Sequence, residues 1–337
     1  MSTIKDIADA AGVSVTTVSI VLNGKAKERK ISDATCKKVY TAAKELDYNP
    51  NLNARKLRGG TSLPKKIIGF FWPADYRAHM LSTFLTGIQR KLQDENTDIE
   101  IVIQSYKVNH LKDNIDSLLK SEYHGAIIGG ASQNDIKYLE RTGIQLPVVL
   151  LNRFSDIFST ITIDDENIGG QAARLIKSQK CKSIGLVVSH RPYEASAKRT
   201  QFFIDECKAL KLPAIKDEHI FYGSNTIPSG ATALKKIKTK EDVPEVLFCE
   251  SDFLAIGAIH ELHQKGIRIP QDVKIITVGF LSNNFLTYHI PSITAIDIPN
   301  DKVAEKAIEL LYDQIQSKVN TPSHVVINGS LKRRDSL

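Results

Sequence analysis

From Ser14 to Gly24 the sequence SVTTVSIVLNG gathers hydroxyls and branched methyls on one very short stretch. In a helix begun by Ser14, the apolar positions are Val18, Val21 and Leu22, and the other face carries Val15, Thr16, Thr17 and Ile20. Hydroxyls and methyls close to a helix N-terminus suit base edges and thymine methyls in a DNA major groove, and the backbone N–H groups there suit phosphate. A capped, solvated helix would carry the same residue types, so the surrounding sequence has to decide.

The elements that would position these side chains are legible on both sides. Upstream, Ile4, Ile7, Ala8 and Ala11 recur at helical spacing, Thr3 and Asp6 form a capping pair, and Gly12 supplies a stop. The connection of about three or four residues has the length of a helix-turn-helix, with Ala8, Ala10 and Gly12 as the small residues where the helices touch. Downstream, Ser32 begins a third helix with Thr35, Val39, Ala42, Ala43 and Leu46 on its apolar side, and Asp47-Tyr48-Asn49-Pro50 ends it. The intervening loop carries Lys25, Lys27, Arg29 and Lys30, contacts that would position on phosphate without specifying sequence.

The next stretch, NPNLNARKLRGGTSLPKK (49–66), leaves room for little more than two helical turns before Gly59-Gly60. Such a segment is marginal alone and folds only against something. Ala54 and Leu57 make an apolar pair bordered by Arg55, Lys56 and Arg58; a Leu wedge of this kind can unstack a base step in the minor groove while the cations hold phosphate. A flexible basic linker is the alternative these residues leave open.

Composition narrows the classes. With 42% hydrophobic and 25% charged residues in 337, the chain is of ordinary globular type, with length for two or three domains. No apolar run approaches about 18 residues and no charged-then-apolar leader begins the chain, so a cytoplasmic protein is expected. Cys36, Cys181, Cys207 and Cys249 are far apart and form no CxxC, which predicts free thiols rather than disulfides or zinc. Residues 1–60 hold 11 Lys and Arg against 6 Asp and Glu, whereas the remainder holds 34 against 32. The net charge of +7 is thus concentrated at the N-terminal end, the electrostatic footprint of a DNA-binding module.

From Lys66 onward, short apolar runs alternate with amphipathic helices. The runs are 67–72, 99–103, 125–129, 148–151, 184–188, 246–249 and 275–279, and the helices include 82–93, 168–178, 198–210 and 252–265. This pattern predicts parallel sheets covered on both faces, in two α/β lobes that change over near TITIDDENIGG, with a ligand cleft between them at the carboxyl ends of the strands. Catalytic alternatives find little support. Gly129-Gly130 and Gly169-Gly170 complete no phosphate loop, His260 and His263 lack the HExxH pattern, and no nucleophile arrangement can be placed. Asp164-Asp165-Glu166 most simply serves a helix N-terminus. No enzyme activity, catalytic residue, metal or cofactor is therefore expected.

Taken together, the motifs resemble the LacI/GalR transcriptional regulators. TIKDIADAAGVSVTTVSIVLNG, AAKELDYNPN and NARKLR are similar to that family's headpiece and hinge signatures, and PVVLLNR, ITIDDENIGG, CESDFLAIGAIHELHQKGIRIPQDVKIITVGF, PSITAI and LKRRDSL to its core signatures. The resemblance runs through essentially the whole chain in consistent order. It implies a small all-α helix-turn-helix headpiece at 1–49, a hinge helix and linker at 50–66, and a periplasmic-binding-protein-like α/β domain at 67–337 that binds the effector and dimerises. Its lobes would comprise about 67–163 with 291–320, and about 164–290 with 321–337.

The roles that the resemblance implies fall on particular positions. Val15, Thr16, Thr17 and Ile20 would read the major groove, and Ala54, Arg55, Leu57 and Arg58 would enter the minor groove of a near-palindromic operator bound by a homodimer. Trp72, Asp75, Asn152, Arg199, Asn225 and Asp252 would face a small-molecule effector, expected to be a sugar or sugar derivative; for Trp72, core packing is the competing role. The implied protein is an effector-controlled repressor; a sugar sensor or transport-type binding protein using only the cleft is the alternative, and a protein co-effector is a further partner known in the family.

Departures from the family pattern matter as well. Ile20 stands where many members have arginine, and the loop after the second helix is about three residues longer than in several relatives. Phe202 replaces a glycine, and Leu281-Ser282 replaces an acidic pair whose first carboxylate often holds the ligand. No leucine heptads follow the last strand, which favours a dimer over a tetramer.

Overall fold

The computed structural model describes residues 4–22, 26, 29–46, 65–94, 97–120, 122–190, 194–281, 283–317 and 321–337. The chain forms two units, 1–64 and 65–337.

In the first unit, α1 (Ile4–Ala11), α2 (Val15–Leu22) and α3 (Asp33–Glu45) pack around one small core. Gly12 ends α1 at φ +65°, a conformation an L side chain resists, and the Val13 amide closes the turn on the Ala8 carbonyl at 3.0 Å. Ser14 caps α2 by accepting from the Thr17 amide at 3.1 Å, and Ser32 caps α3 in the same way through Thr35. Val18 and Val21 are fully buried against Ile7, Ala8, Val39 and Ala42, and the Tyr40 hydroxyl donates to the Val21 carbonyl at 3.1 Å. One assignment shifts: Ala10 faces solvent, and Ala11 is the small residue in the core.

The second unit contains two six-stranded sheets. The first lobe holds β1 (Lys66–Pro73), α4 (Leu81–Asp94), β2 (Ile99–Tyr106), α5 (Asp116–Leu119), β3 (Gly125–Gly129), α6 (Gln133–Arg141), β4 (Val148–Leu151) and β5 (Ser159–Ile163). The second holds α7 (Asp165–Ser178), β6 (Ile184–Ser189), α8 (Glu194–Ala209), β7 (Ile220–Gly223), α9 (Ile227–Ala233), β8 (Val246–Cys249), α10 (Asp252–Gln264), β9 (Lys274–Gly279), α11 (Asn283–Thr287) and β10 (Thr294–Asp297). α12 (Asn300–Ser317) then returns to the first lobe with β11 (His324–Ile327), and β12 (Ser330–Lys332) ends in the second.

The sheet orders are β11-β5-β4-β3-β1-β2 and β12-β10-β9-β8-β6-β7, parallel throughout except for the antiparallel pair β10 and β12. Strands β3, β4, β6 and β8 are buried along their whole length, as continuous apolar runs in a sheet covered on both faces must be. No described helix is long and apolar enough to cross a membrane, and the four cysteines are free thiols.

The lobe boundaries read from the sequence need correction at the C-terminal end. Residues 294–297 belong to the second lobe, because Thr294–Asp297 extends the parallel ladder of Ile276–Gly279. Residues 324–327 belong to the first, where His324–Ile327 runs beside Thr160–Ile163. The helix between them packs on the first lobe. Gly87 of α4 lets α12 approach so closely that a Cβ there would lie 2.2 Å from the Asp301 carbonyl oxygen, and Arg90 meets Glu305 at 2.6 Å. Three connections therefore join the lobes: at Asp164, at Ile298-Pro299 and at Asn328-Gly329. The first and third are tied together, since the Asp164 amide donates to the Ile327 carbonyl and Gln171 Nε2 to the Gly329 carbonyl, each at 3.1 Å.

Candidate DNA-reading face and ligand cleft

In the first unit, burial sorts α2 into two faces. Val18 and Val21 are spent on the core, while Val15 is 41% exposed, Thr16 is exposed, and Thr17 and Ile20 are half-buried. The Thr17 hydroxyl lies 2.9 Å from Ser14 Oγ, so it is partly engaged in the cap. Val15 and Thr16 at the first turn are thus free to meet a partner, and Arg29 and Lys30 in the following loop are exposed cations. Ala54, Arg55, Leu57 and Arg58 lie outside the described residues.

In the second unit, a cleft opens between the lobes, with about 830 Å³ of empty space counting its open mouth. It is reached by the carboxyl ends of β1, β3, β4, β7 and β9, where open α/β sheets present their loops. Its apolar wall comprises Phe84, Leu151, Ile161, Ile163, Phe253 and Phe280. Trp72, Asn152, Arg199 and Asn225 come together in it. Trp72 also fills the competing role: it is 5% exposed, packs on Phe84 at 4.8 Å between ring centroids, and donates Nε1 to the Arg77 carbonyl at 3.1 Å. Gly129 makes room for that ring, since a Cβ there would lie 2.3 Å from it.

Each polar group is held in a defined orientation. Asn152 adopts φ +55° just after β4, its amide donating to the Ile161 carbonyl at 2.6 Å and its Oδ1 accepting from the Ile163 amide at 3.2 Å. Arg199, 2% exposed on α8, gives Nε to Asp165 Oδ1 at 2.6 Å, and its guanidinium carbon lies 5.3 Å from the centre of the Phe280 ring. Burial raises the Asp165 carboxyl above its ordinary range, outweighing the attraction of Arg199. The acidic run at 164–166 therefore does more than serve a helix end. Asp164 caps α7 through the Asn167 amide at 2.8 Å, whereas Asp165 is the counter-ion of the cleft arginine.

Two predicted ligand contacts are corrected. Asp75 does not line the cleft; it holds Arg77 with both oxygens, at 3.0 Å and 3.1 Å from Nε and 2.6 Å from Nη2, and caps the 3₁₀ turn Tyr76–Met80. Asp252 is fully buried behind the cleft wall. Its Oδ2 accepts from the Phe280 and Leu281 amides at 2.6 Å and 2.7 Å, and its Oδ1 from the Phe253 amide at 3.0 Å. A fully buried carboxylate held by three backbone donors shapes the loop that carries Phe280 and lies outside the cleft lining.

Arg77, Arg153 and Asn300 line the cleft without having been predicted. Arg153 follows Asn152 directly in PVVLLNR, so the motif pointed to it. Its Nε donates to the Ala131 carbonyl and its Nη1 to the Asn152 carbonyl at 2.6 Å. Burial lowers its pKa, and the nearby charge of Arg77 adds to that effect. Asn300 opens α12 immediately after the second lobe crossing, is 5% exposed, and has an amide nitrogen with no hydrogen-bond partner among the described residues. No local signal marks such a residue, because its place in the cleft is set by the crossing.

Comparison with known proteins gives the same division of the chain. Residues 3–51 match the family described as bacterial regulatory proteins, lacI family, and residues 172–337 a periplasmic binding protein-like domain. The chain is 28% identical over 345 residues to the HTH-type transcriptional repressor PurR of Yersinia pestis bv. Antiqua (strain Antiqua), covering 100% of this chain and 97% of that one. It is 28% identical over 340 residues to the probable HTH-type transcriptional repressor ExuR of Bacillus subtilis (strain 168), covering 100% and 98%. The crystal structure of a LacI family transcription regulator from Clostridium acetobutylicum superposes with a TM-score of 0.75 at 30% identity, over 80% of this chain and 100% of the other.

Proposed function

The chain belongs to the LacI family of bacterial regulatory proteins, a transcriptional regulator and not an enzyme, and from that premise we propose that it acts in the cytoplasm as a homodimeric repressor of a near-palindromic operator. The observation that carries the DNA side of this reading is the division of α2, which buries Val18 and Val21 and leaves Val15 and Thr16 in solvent at its first turn. Val15, Thr16, Thr17 and Ile20 then read the major groove, and Ala54, Arg55, Leu57 and Arg58 enter the minor groove as a hinge. Branched methyls at 15 and 20 favour contact with thymine methyls over hydrogen-bonded readout at those two positions.

The cleft of the second unit takes the effector, a sugar or sugar derivative. Trp72 and Phe84 offer apolar faces for a ring, and Asn152, Arg199 and Asn225 offer polar groups around it. The effector acts by binding one lobe angle more tightly than another, which couples the cleft to operator affinity through a free energy that each site must feel equally.

Operator selection from a random DNA pool, run with and without a panel of sugars, tests the reading. Recovery of a palindrome with a deformable central step, changed by one compound, is the expected result. Failure to enrich any site would remove the regulator reading for this chain, and a palindrome indifferent to every sugar derivative would remove the sugar effector alone.

A further inference from the structure

We infer that the effector is an acid: a sugar-sized molecule bearing a carboxylate or phosphate, whose oxyanion is held by Arg153. The inference rests on the reading of the cleft as the effector site, and deepens it.

Charge supplies the first argument. The described residues that line the cleft include three arginines, Arg77, Arg153 and Arg199, and no aspartate or glutamate. Two of the three are neutralised from behind the wall, Arg77 by Asp75 and Arg199 by Asp165, each at 2.6 Å. Arg153 has no carboxylate within ion-pair distance among the described residues; its two observed bonds go to the carbonyls of Ala131 and Asn152. The nearest acids are committed elsewhere. Glu194 pairs with Lys198 at 2.8 Å, and Asp165 with Arg199 at 2.6 Å. A cation held out of bulk water and pushed by a like charge is stabilised strongly by an anion that shares its surroundings.

Hydrogen-bond capacity supplies the second, independent argument. Asn152 has its oxygen occupied by the Ile163 amide, and Asn225 has its oxygen occupied by the Ser251 hydroxyl. Each keeps both N–H donors of its NH₂ end and one lone pair on its oxygen. Asn300 has a buried NH₂ with no hydrogen-bond partner among the described residues. Arg153 keeps Nη2, and Arg199 keeps both terminal nitrogens beyond its bond to Asp165. These donors outnumber the side-chain acceptors in the lining, which are the Ser196 hydroxyl, the Asn300 oxygen, one lone pair each on the Asn152 and Asn225 oxygens, and the His79 ring. Every hydroxyl of a neutral sugar needs an acceptor for its own proton as well as a donor, whereas a carboxylate or phosphate only accepts. The lining therefore matches a ligand rich in acceptors at one end, with Trp72, Phe84 and Phe280 against its apolar face.

The test is calorimetric titration of the full-length chain with matched pairs: glucose against glucuronate and glucose 6-phosphate, galactose against galacturonate, ribose against ribose 5-phosphate. We expect one acid to bind about 100-fold tighter than its neutral parent, with the carboxylate and phosphate arms identifying the oxyanion. Arg153→Gln should weaken that acid by about 30-fold while leaving the neutral parent within about threefold, and Arg153→Lys should recover part of the loss. Thermal unfolding of each variant shows that it is folded. A neutral sugar that binds as tightly as its acid overturns the acid inference and leaves the sugar effector standing. No binding on any arm, from a chain that still selects its DNA site, removes the sugar reading and this inference together. Unchanged acid affinity in Arg153→Gln overturns the assignment to Arg153.

Discussion

Asp252 illustrates how a residue can be essential to a site without touching what the site binds. Three amides converge on its carboxylate, two of them on a single oxygen, yet burial still pushes its carboxyl up to about 6 from an ordinary 3.8. Between those values the native state binds more protons than the unfolded one, so this residue's contribution to stability is full at low pH and is lost as pH rises through about 6. Asp252→Asn sets an NH₂ group or an overtaxed oxygen against the Phe280 and Leu281 amides. It should cost about 2 kcal/mol near neutral pH and flatten the pH dependence of stability between about pH 4 and 6, as measured by urea unfolding at each pH. Arg199 touches the cleft directly and carries a second burden. Arg199→Met leaves Asp165 buried without its counter-ion, for a loss of about 3 kcal/mol in urea unfolding, and it should abolish the effect of ligand on operator affinity. An unchanged ligand response in a folded Arg199→Met protein would place the effector elsewhere.

Among the elements, α2 has the least margin, because the small core beneath it depends on two valines and a few alanines. Val18→Ala removes two buried methyls and should destabilise the first unit by about 2 kcal/mol, a large share of what a domain of this size holds. Calorimetry should show the headpiece transition moving down in temperature while that of 65–337 stays in place. The sequence disclosed elements according to how they are buried. Strands covered on both faces, such as 125–129, 148–151 and 246–249, are continuous apolar runs and were placed at their observed bounds. Edge and short strands such as 220–223, 324–327 and 330–332 lack that signature and were missed. The cleft shows the same limit. Trp72, Asn152, Arg199 and Asn225 sit in readable motifs, but the partners of Arg77 and Asp252 depend on which atoms the fold turns inward, and Asn300 reaches the cleft only through the second crossing. A carboxylate at a strand end looks the same in sequence whether it faces ligand or backbone.

Across the whole molecule, the three crossings decide how the second unit holds together. The first lobe needs α12 and β11 from the far end of the chain, and the second needs β12 from beyond them. The first lobe cannot shed its late-arriving pieces without exposing buried residues of α12 such as Ile308 and Leu311. Residues 65–337 should therefore melt as one two-state transition, with calorimetric and van't Hoff enthalpies in agreement, and a cleft ligand should raise that transition while leaving the headpiece's alone.

The same interleaving bears on how such a protein can be rebuilt. No single stretch of the gene encodes a whole lobe, so grafting a foreign lobe onto this one takes three joins, near 164, 298 and 328, instead of one. The headpiece is a continuous segment and can be exchanged with a single cut. Recombination can thus give this effector domain a new DNA address far more readily than it can exchange half of the ligand cleft.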